Sequence, residues 1–254
     1  MRIVCLSAEA ADICAQLGAW DDVVAVSAFA PQAGLARRPV ISGFSTADCD
    51  HIASLAPDLV ITFSDVQAEI AAELIRAGCA VLATNQRTLA EIAQTIRMIG
   101  GALGRSAAAE VLSGHFLREI EALTSTASPR PRVYFEEWPD PMISGIGWVG
   151  ELIERTGGDD IFATRRGRAS RERVVTVDEV IAANPDVIVA SWCGKSVDAA
   201  SIRQRPGFSE IGAIRRGELH AMDSDILLQP GPRLLAGARE LRRIFDAWRG
   251  RAVA

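Results

Sequence analysis

The stretch Ile52-Ala53-Ser54-Leu55-Ala56-Pro57-Asp58-Leu59-Val60-Ile61-Thr62-Phe63 recurs, at an offset of 128 residues, as Val180-Ile181-Ala182-Ala183-Asn184-Pro185-Asp186-Val187-Ile188-Val189-Ala190-Ser191. Each copy reads as the end of an amphipathic helix, a Pro-Asp turn and an apolar, β-branched run of strand length. Other features echo nearby: Arg2-Ile3-Val4 in Arg132-Val133-Tyr134, and Arg76-Ala77-Gly78 before Ala80-Val81-Leu82 in Arg215-Arg216-Gly217 before Leu219-His220-Ala221. Short apolar runs alternate with helical patterns throughout, the mark of stacked β-α units with parallel strands. The expected strands lie near 2–6, 23–27, 59–63, 80–83, 132–136, 187–191 and 218–221. The expected helices lie near 8–17, 48–55, 66–77, 88–103, 148–156, 177–183, 208–215 and 231–249.

The fold class predicted from this repeat is α/β: two Rossmann-like lobes with parallel sheets, 1–105 and 129–254, joined by one long helix over 106–128. That helix has Val111, Leu112, Phe116, Leu117, Ile120 and Leu123 at helical spacing, with a stop at Ser128-Pro129-Arg130-Pro131. At 1.5 Å per residue it would span roughly 30 Å.

The 254 residues include 27 basic and 32 acidic side chains, for a net charge of −5, and the pI is near 5.3. This balance excludes the electrostatic footprint of a nucleic-acid binder, and the preferred partner is expected to be a small molecule, with the protein a monomer. Lys195 is the single lysine. The cysteines, Cys5, Cys14, Cys49, Cys79 and Cys193, are odd in number and never spaced C-x-x-C, so buried free thiols are expected. No apolar run reaches the length of a membrane span. The run after Met1 is too short for an export signal. The expected compartment is the cytoplasm if the chain starts natively at Met1, and the periplasm if such a signal has been trimmed.

The catalytic motifs are incomplete. Gly145-Ile146-Gly147-Trp148-Val149-Gly150 is a formal G-x-G-x-x-G, but Pro139 and Pro141 stand where a central strand should run. A dinucleotide-dependent oxidoreductase using Gly145, Gly147 and Gly150 is therefore the weaker alternative, and no enzyme activity is expected. Gly194-Lys195-Ser196 lacks the first glycine of a phosphate loop, where Val189 stands. His51, His115 and His220 are isolated, and no metal site is expected.

Parallel sheets bind ligands outside the carboxyl ends of their strands, and clefts between lobes are favoured pockets. The residues just past the strands are Ser7-Ala8-Glu9, Phe44-Ser45, Phe63-Ser64-Asp65, Glu137-Trp138, Trp192-Cys193, Ser224-Asp225 and Gln229 to Arg233. Aromatic residues make up only 6% of the chain. Phe44, Phe63, Trp138, Trp148 and Trp192 all fall in these loops, which points to a platform for a large flat ligand.

On these blocks the chain resembles the single-helix-linked (class III) substrate-binding proteins of ABC importers, and within them the cobalamin-binding branch. The resemblance rests on Ile3-Val4-Cys5-Leu6-Ser7, on Ser42-Gly43-Phe44, and on Asp50-His51-Ile52 running through Ala56-Pro57-Asp58-Leu59-Val60-Ile61. It continues in Ala68-Glu69, Trp138-Pro139-Asp140-Pro141, Gly157-Gly158-Asp159-Asp160-Ile161-Phe162, Ser224-Asp225 and Pro232-Arg233. It implies a protein with no cofactor of its own that binds cobalamin or a related corrinoid between its lobes. Phe44, Phe63, Trp138, Trp148 and Trp192 would cover ring faces, and Ser7, Ser45, Asp225 and Arg233 would hydrogen bond to peripheral amides. Siderophore and haem binders share the scaffold and form the alternative within the fold. The family also docks to the importer's membrane subunits through one acidic residue per lobe. Glu69 holds the matching position in the first lobe, and Asp198 is its pseudo-symmetric counterpart.

Overall fold

The computed structural model describes residues 1–32, 34–166 and 169–252. By chain contacts the protein divides into two units, Met1–Gln86 with Ala90–Leu117, and Arg87–Leu89 with Arg118–Ala254. The first contains β1 (Ile3–Cys5), α1 (Ala8–Gln16), β2 (Val23–Ser27), β3 (Val40–Ser42), α2 (Cys49–Ser54), β4 (Leu59–Phe63), α3 (Ala68–Arg76) and β5 (Val81–Thr84). Helices α4 (Leu89–Ala102) and α5 (Ser106–Ala122) follow. The second unit holds β6 (Arg132–Pro139), β7 (Met142–Ser144), α6 (Gly147–Arg155), β8 (Asp159–Asp160), α7 (Val177–Ala183), β9 (Val187–Ala190) and α8 (Ala199–Arg203). It closes with α9 (Gly212–Arg215), β10 (Leu219–Ala221), α10 (Ser224–Leu227) and α11 (Leu234–Ala252).

The first sheet is parallel throughout, in the order β3-β2-β1-β4-β5. Val4, Leu6, Ala25 and Val60 bury one of its faces against Ile52 of α2 and Ile70 and Leu74 of α3. The second runs β10-β9-β6-β7, with β8 paired to the start of β6. It departs from the expected parallel sheet: β7 is antiparallel to β6 and forms the edge. Strand β6 also runs past residue 136 to Pro139, which is tolerated at a strand end beside the hairpin turn because no ladder donor is needed there.

The repeat has a concrete physical role. In the first copy the Asp58 carboxylate accepts from Arg2 N–H at 2.7 Å, while Asp58 N–H donates to Arg2 C=O at 2.8 Å. In the second, Asp186 does the same with Arg132, at 3.0 and 2.8 Å. Each Pro-Asp turn thus clamps the start of the neighbouring strand. The clamps sit beside the pairings Ile3 with Leu59 and Val133 with Val187. The helices before them begin on matched caps, Asp48 accepting from His51 N–H and Thr176 from Glu179 N–H.

Within the span 106–128, expected to be a linking helix, the chain forms the 17-residue α5, about 25 Å long, and the division into units falls inside it. Its buried stripe is Ala109, Ser113, Phe116 and Ile120. Val111 (70% exposed) and Leu117, read as apolar-face positions, lie outward instead. The small residue Ala109 lets α5 approach α4 at Gly100, where an added Cβ would lie 2.2 Å from the Ala109 Cβ.

Candidate functional site

In the first unit, Gln67 organises the carboxyl ends of three strands. Its Oε1 accepts from Phe63 N–H at 2.9 Å, and its Nε2 donates to Leu6 C=O at 2.9 Å and Phe44 C=O at 2.8 Å. The side chain is 1% exposed. The segments that follow β1, β3 and β4 are therefore tied to one amide. Ser64, just past Phe63, is held at φ 63°, a left-handed conformation costly for a residue with a Cβ. Phe44 is half-buried, Phe63 is buried and Ser45 is exposed. Gln67 is absent from the sequence-based candidates because a lone glutamine at a helix start has no motif.

Ser7 precedes α1 and is buried, with no hydrogen-bond partner for its Oγ among the described residues; the same holds for Ser27 Oγ and Ser42 Oγ, at the ends of β2 and β3. Glu9, in the first turn of α1, is also buried, and its Oε1 has no partner among the described residues. Burial pushes its carboxyl up to about 7, because a charged carboxylate loses its hydration there.

In the second unit the corresponding organiser is Glu136, on β6 and 0% exposed. It receives Trp192 Nε1 at 3.1 Å, Tyr134 OH at 3.2 Å, and both terminal nitrogens of Arg205, the second at 2.9 Å. A buried charge is tolerable when its lone pairs are filled in this way. Trp192 is 6% exposed and packs with Tyr134, Met142, Ile202 and Phe208. Trp138, also on β6, is half-buried; its Nε1 donates to Asp140 C=O at 3.0 Å and the Lys195 ammonium lies over its ring.

Three expected ligand contacts are engaged elsewhere. Trp148, on α6, is 2% exposed and donates to Leu227 C=O at 2.9 Å, so it anchors α6 to α10 as a core residue. Asp225 and Arg233 pair with each other at 3.4 Å, and Gln229 Nε2 occupies the other Asp225 oxygen at 2.9 Å. These two are a mutually neutralised pair rather than two free hydrogen-bonding groups.

Glu69 is exposed in the first turn of α3 and forms no ion pair among the described residues. Asp198 is exposed but caps α8, accepting from Ala200 and Ser201 N–H at 3.0 and 3.1 Å. Of the five thiols only Cys5 and Cys14 are buried; Cys193 is exposed, contrary to the expectation for the set.

The glycine motif fails on geometry. It follows the antiparallel edge strand β7 instead of a central parallel strand. At Gly150 an added Cβ would lie 2.2 Å from Arg166 Nε and 2.8 Å from Asp160 Oδ2, so that glycine makes room for an ion pair and not for a pyrophosphate. Among the described residues no group of three or more His, Cys, Asp or Glu is placed to hold a metal ion.

A family profile described as periplasmic binding protein matches residues 3–226. The chain is similar to the uncharacterized ABC transporter substrate-binding lipoprotein YvrC of Bacillus subtilis, with 28% identity over 94% of this chain and 78% of that one. It is similar to the vitamin B12-binding protein of Vibrio parahaemolyticus, with 25% identity over 97% of this chain and 90% of the relative. Among solved structures it resembles the apo periplasmic heme-binding protein RhuT of Roseiflexus sp. RS-1, with TM-score 0.84, 26% identity, and coverage of 97% and 98%.

Proposed function

The chain belongs to the periplasmic binding protein family, and on that premise we propose that it is the substrate-binding component of an ABC importer whose cargo is cobalamin or a related corrinoid. The family consists of transport components, not enzymes. The observation that carries the cargo is similarity, along nearly the whole chain, to a protein named for binding vitamin B12. The rings at the strand ends support it. A corrin has broad apolar faces and a rim of amides, and Phe44 and Trp138 are half-buried aromatic residues on rigid strand-end segments.

Three of the ring positions have a buried polar organiser: Gln67 bonds the backbone of Phe44 and Phe63, and Glu136 accepts from the Trp192 indole. A surface fixed before the ligand arrives loses little side-chain entropy on binding. The exposed Ser45 supplies a hydrogen-bonding group for amides, whereas the Ser7 hydroxyl is buried below the surface. Trp148 is left out of the contact set by its burial. Glu69 and Asp198, both exposed at helix starts, are the proposed contacts with the importer's membrane subunits, to which the protein docks as a monomer. The proposed compartment is the periplasm. No helix among the described residues is long and apolar enough to cross a membrane.

Visible-absorbance titration with cyanocobalamin tests the cargo. Saturable binding with a Kd at or below about 1 μM is expected, as fits scavenging of a scarce vitamin. A second reading is haem, favoured by the likeness to RhuT. The single tyrosine weakens a tyrosine-ligated haem site, since Tyr134 is buried with its hydroxyl bonded to Glu136. Saturation by haemin with no response to cyanocobalamin would transfer the assignment to that branch.

A further inference from the structure

Arginine supplies 26 of the 27 basic side chains, and the structure uses it largely to pair with carboxylates. Arg205 meets Glu136, Arg173 meets Glu137, and Arg166 meets Asp160 and Glu154. Lys195 stands apart. It pairs with no carboxylate among the described residues, it is exposed, and its Nζ lies 4.2 Å from the centroid of the Trp138 ring. Its position is built, not incidental. Lys195 N–H donates to Trp192 C=O at 3.1 Å around Gly194, whose φ of 67° lets the chain turn there. The two rings flanking that turn are themselves fixed, Trp192 on Glu136 and Trp138 on the Asp140 carbonyl.

An ammonium held by an aromatic face and a backbone turn, with no counter-ion, is a receptor for an anion. Lysine acts as a compact point charge toward phosphate, whereas arginine suits the planar bidentate pairing that the rest of the chain shows. We propose that Lys195 is a specificity-determining residue that binds an anionic oxygen group on the ligand, the phosphodiester of the nucleotide loop in a complete cobalamin, beside the Trp138 ring. The proposal rests on the corrinoid reading. It separates complete cobalamins from cobinamides, which share the corrin but lack that phosphodiester.

The test compares wild type, Lys195→Gln and Lys195→Arg in titrations with cyanocobalamin, dicyanocobinamide and haemin. Lys195→Gln should weaken cyanocobalamin binding about tenfold at low salt, less at high salt, and leave dicyanocobinamide within about twofold. Lys195→Arg should restore most of the loss. Because Lys195 is the only ε-amine in the chain, cyanocobalamin should also protect it from acetylation where dicyanocobinamide does not. An equal loss for both corrinoids, or none for either, overturns the role of Lys195 while leaving corrinoid binding intact. Failure of wild type to bind either corrinoid removes the cargo reading instead. If haemin alone binds, the anionic groups are its two carboxylates, and an unchanged haemin affinity in Lys195→Gln overturns the anion role as well.

Discussion

The side-chain amide of Gln67 donates to the carbonyl oxygen of Phe44 at 2.8 Å across 23 residues of sequence, and this contact joins the segment after β3 to the start of α3. With its bonds to Leu6 and Phe63 it sets the strand ends of the first unit. Gln67→Leu keeps the volume and strips all three bonds, leaving two buried carbonyls and one N–H without partners. At 1–3 kcal/mol for each orphaned group, partly relieved by relaxation, a loss of about 3 kcal/mol is expected in urea denaturation. Cyanocobalamin affinity should fall with it. Unchanged stability together with unchanged affinity would show that these segments hold themselves.

Ala56 and Asn184 occupy the same place in the two copies of the repeat, and both lie in the left-handed region, at φ 46° and 42°. Asparagine tolerates that conformation better than alanine. Ala56→Asn, which copies the second repeat into the first, should therefore raise stability by about 1 kcal/mol, seen as a higher denaturation midpoint with an unchanged slope. Asn184→Ala should lower it, and by more, because Asn184 Oδ1 also accepts from Gly212 N–H at 2.8 Å.

Glu9 makes stability depend on pH in a defined direction. Its carboxyl sits at about 7 in the folded protein against 4.5 for the free group, so the folded state holds the proton more tightly than the unfolded chain. Stability is then lost as pH rises from 4.5 through 7, and below 4.5 both states are protonated and the penalty vanishes. A shift of that size corresponds to roughly 3 kcal/mol. Relative to Glu9→Gln, which carries no proton to lose, the wild type should gain up to that amount between pH 8 and pH 4.5. A stability difference that stays constant across this range would refute the assignment.

The two proposed docking carboxylates differ in their local duties, and this separates their variants. Glu69→Arg should leave cyanocobalamin binding and thermal stability unchanged while reducing importer-coupled uptake at least about tenfold, the effect of some 1.4 kcal/mol at the contact. Asp198→Asn retains the cap on α8 and removes the charge, so uptake should fall at constant stability. Asp198→Ala should cost about 1 kcal/mol in addition, from loss of the cap bonds to Ala200 and Ser201. Normal uptake in Asp198→Asn would assign that residue to capping alone.

The α/β order of the chain was legible in local patterns because helices and strands impose periods on the residues that build them. Strands β2 and β4 fall at the expected residues 23–27 and 59–63, and the 128-residue repeat marks two equivalent Pro-Asp clamps. Some of the elements of five residues or fewer, β3, β7, α8 and α10 among them, escaped that reading because so short a segment gives periodicity little to register. The direction of β7 escaped it too, since a strand pattern is the same whichever way its neighbour runs.

The candidate site divides along the same line. That Phe44 and Trp192 follow strands could be read from spacing alone; Phe63, Trp138 and Trp148 lie instead within β4, β6 and α6. Which of them stay within reach of solvent could not: Trp148 and Trp138 both sit near strand or helix ends, yet one is sealed against Leu227 and the other is half-open under Lys195. Likewise Asp225 and Arg233 looked like separate polar contacts until they met each other, and Gln67 and Glu136 looked like nothing in particular. Periodicity records the period of a residue's own backbone. Burial and hydrogen-bond partnership are set by side chains from 23 to 79 residues away, as in Gln67 with Phe44 and Trp148 with Leu227, and only the packed chain brings those together.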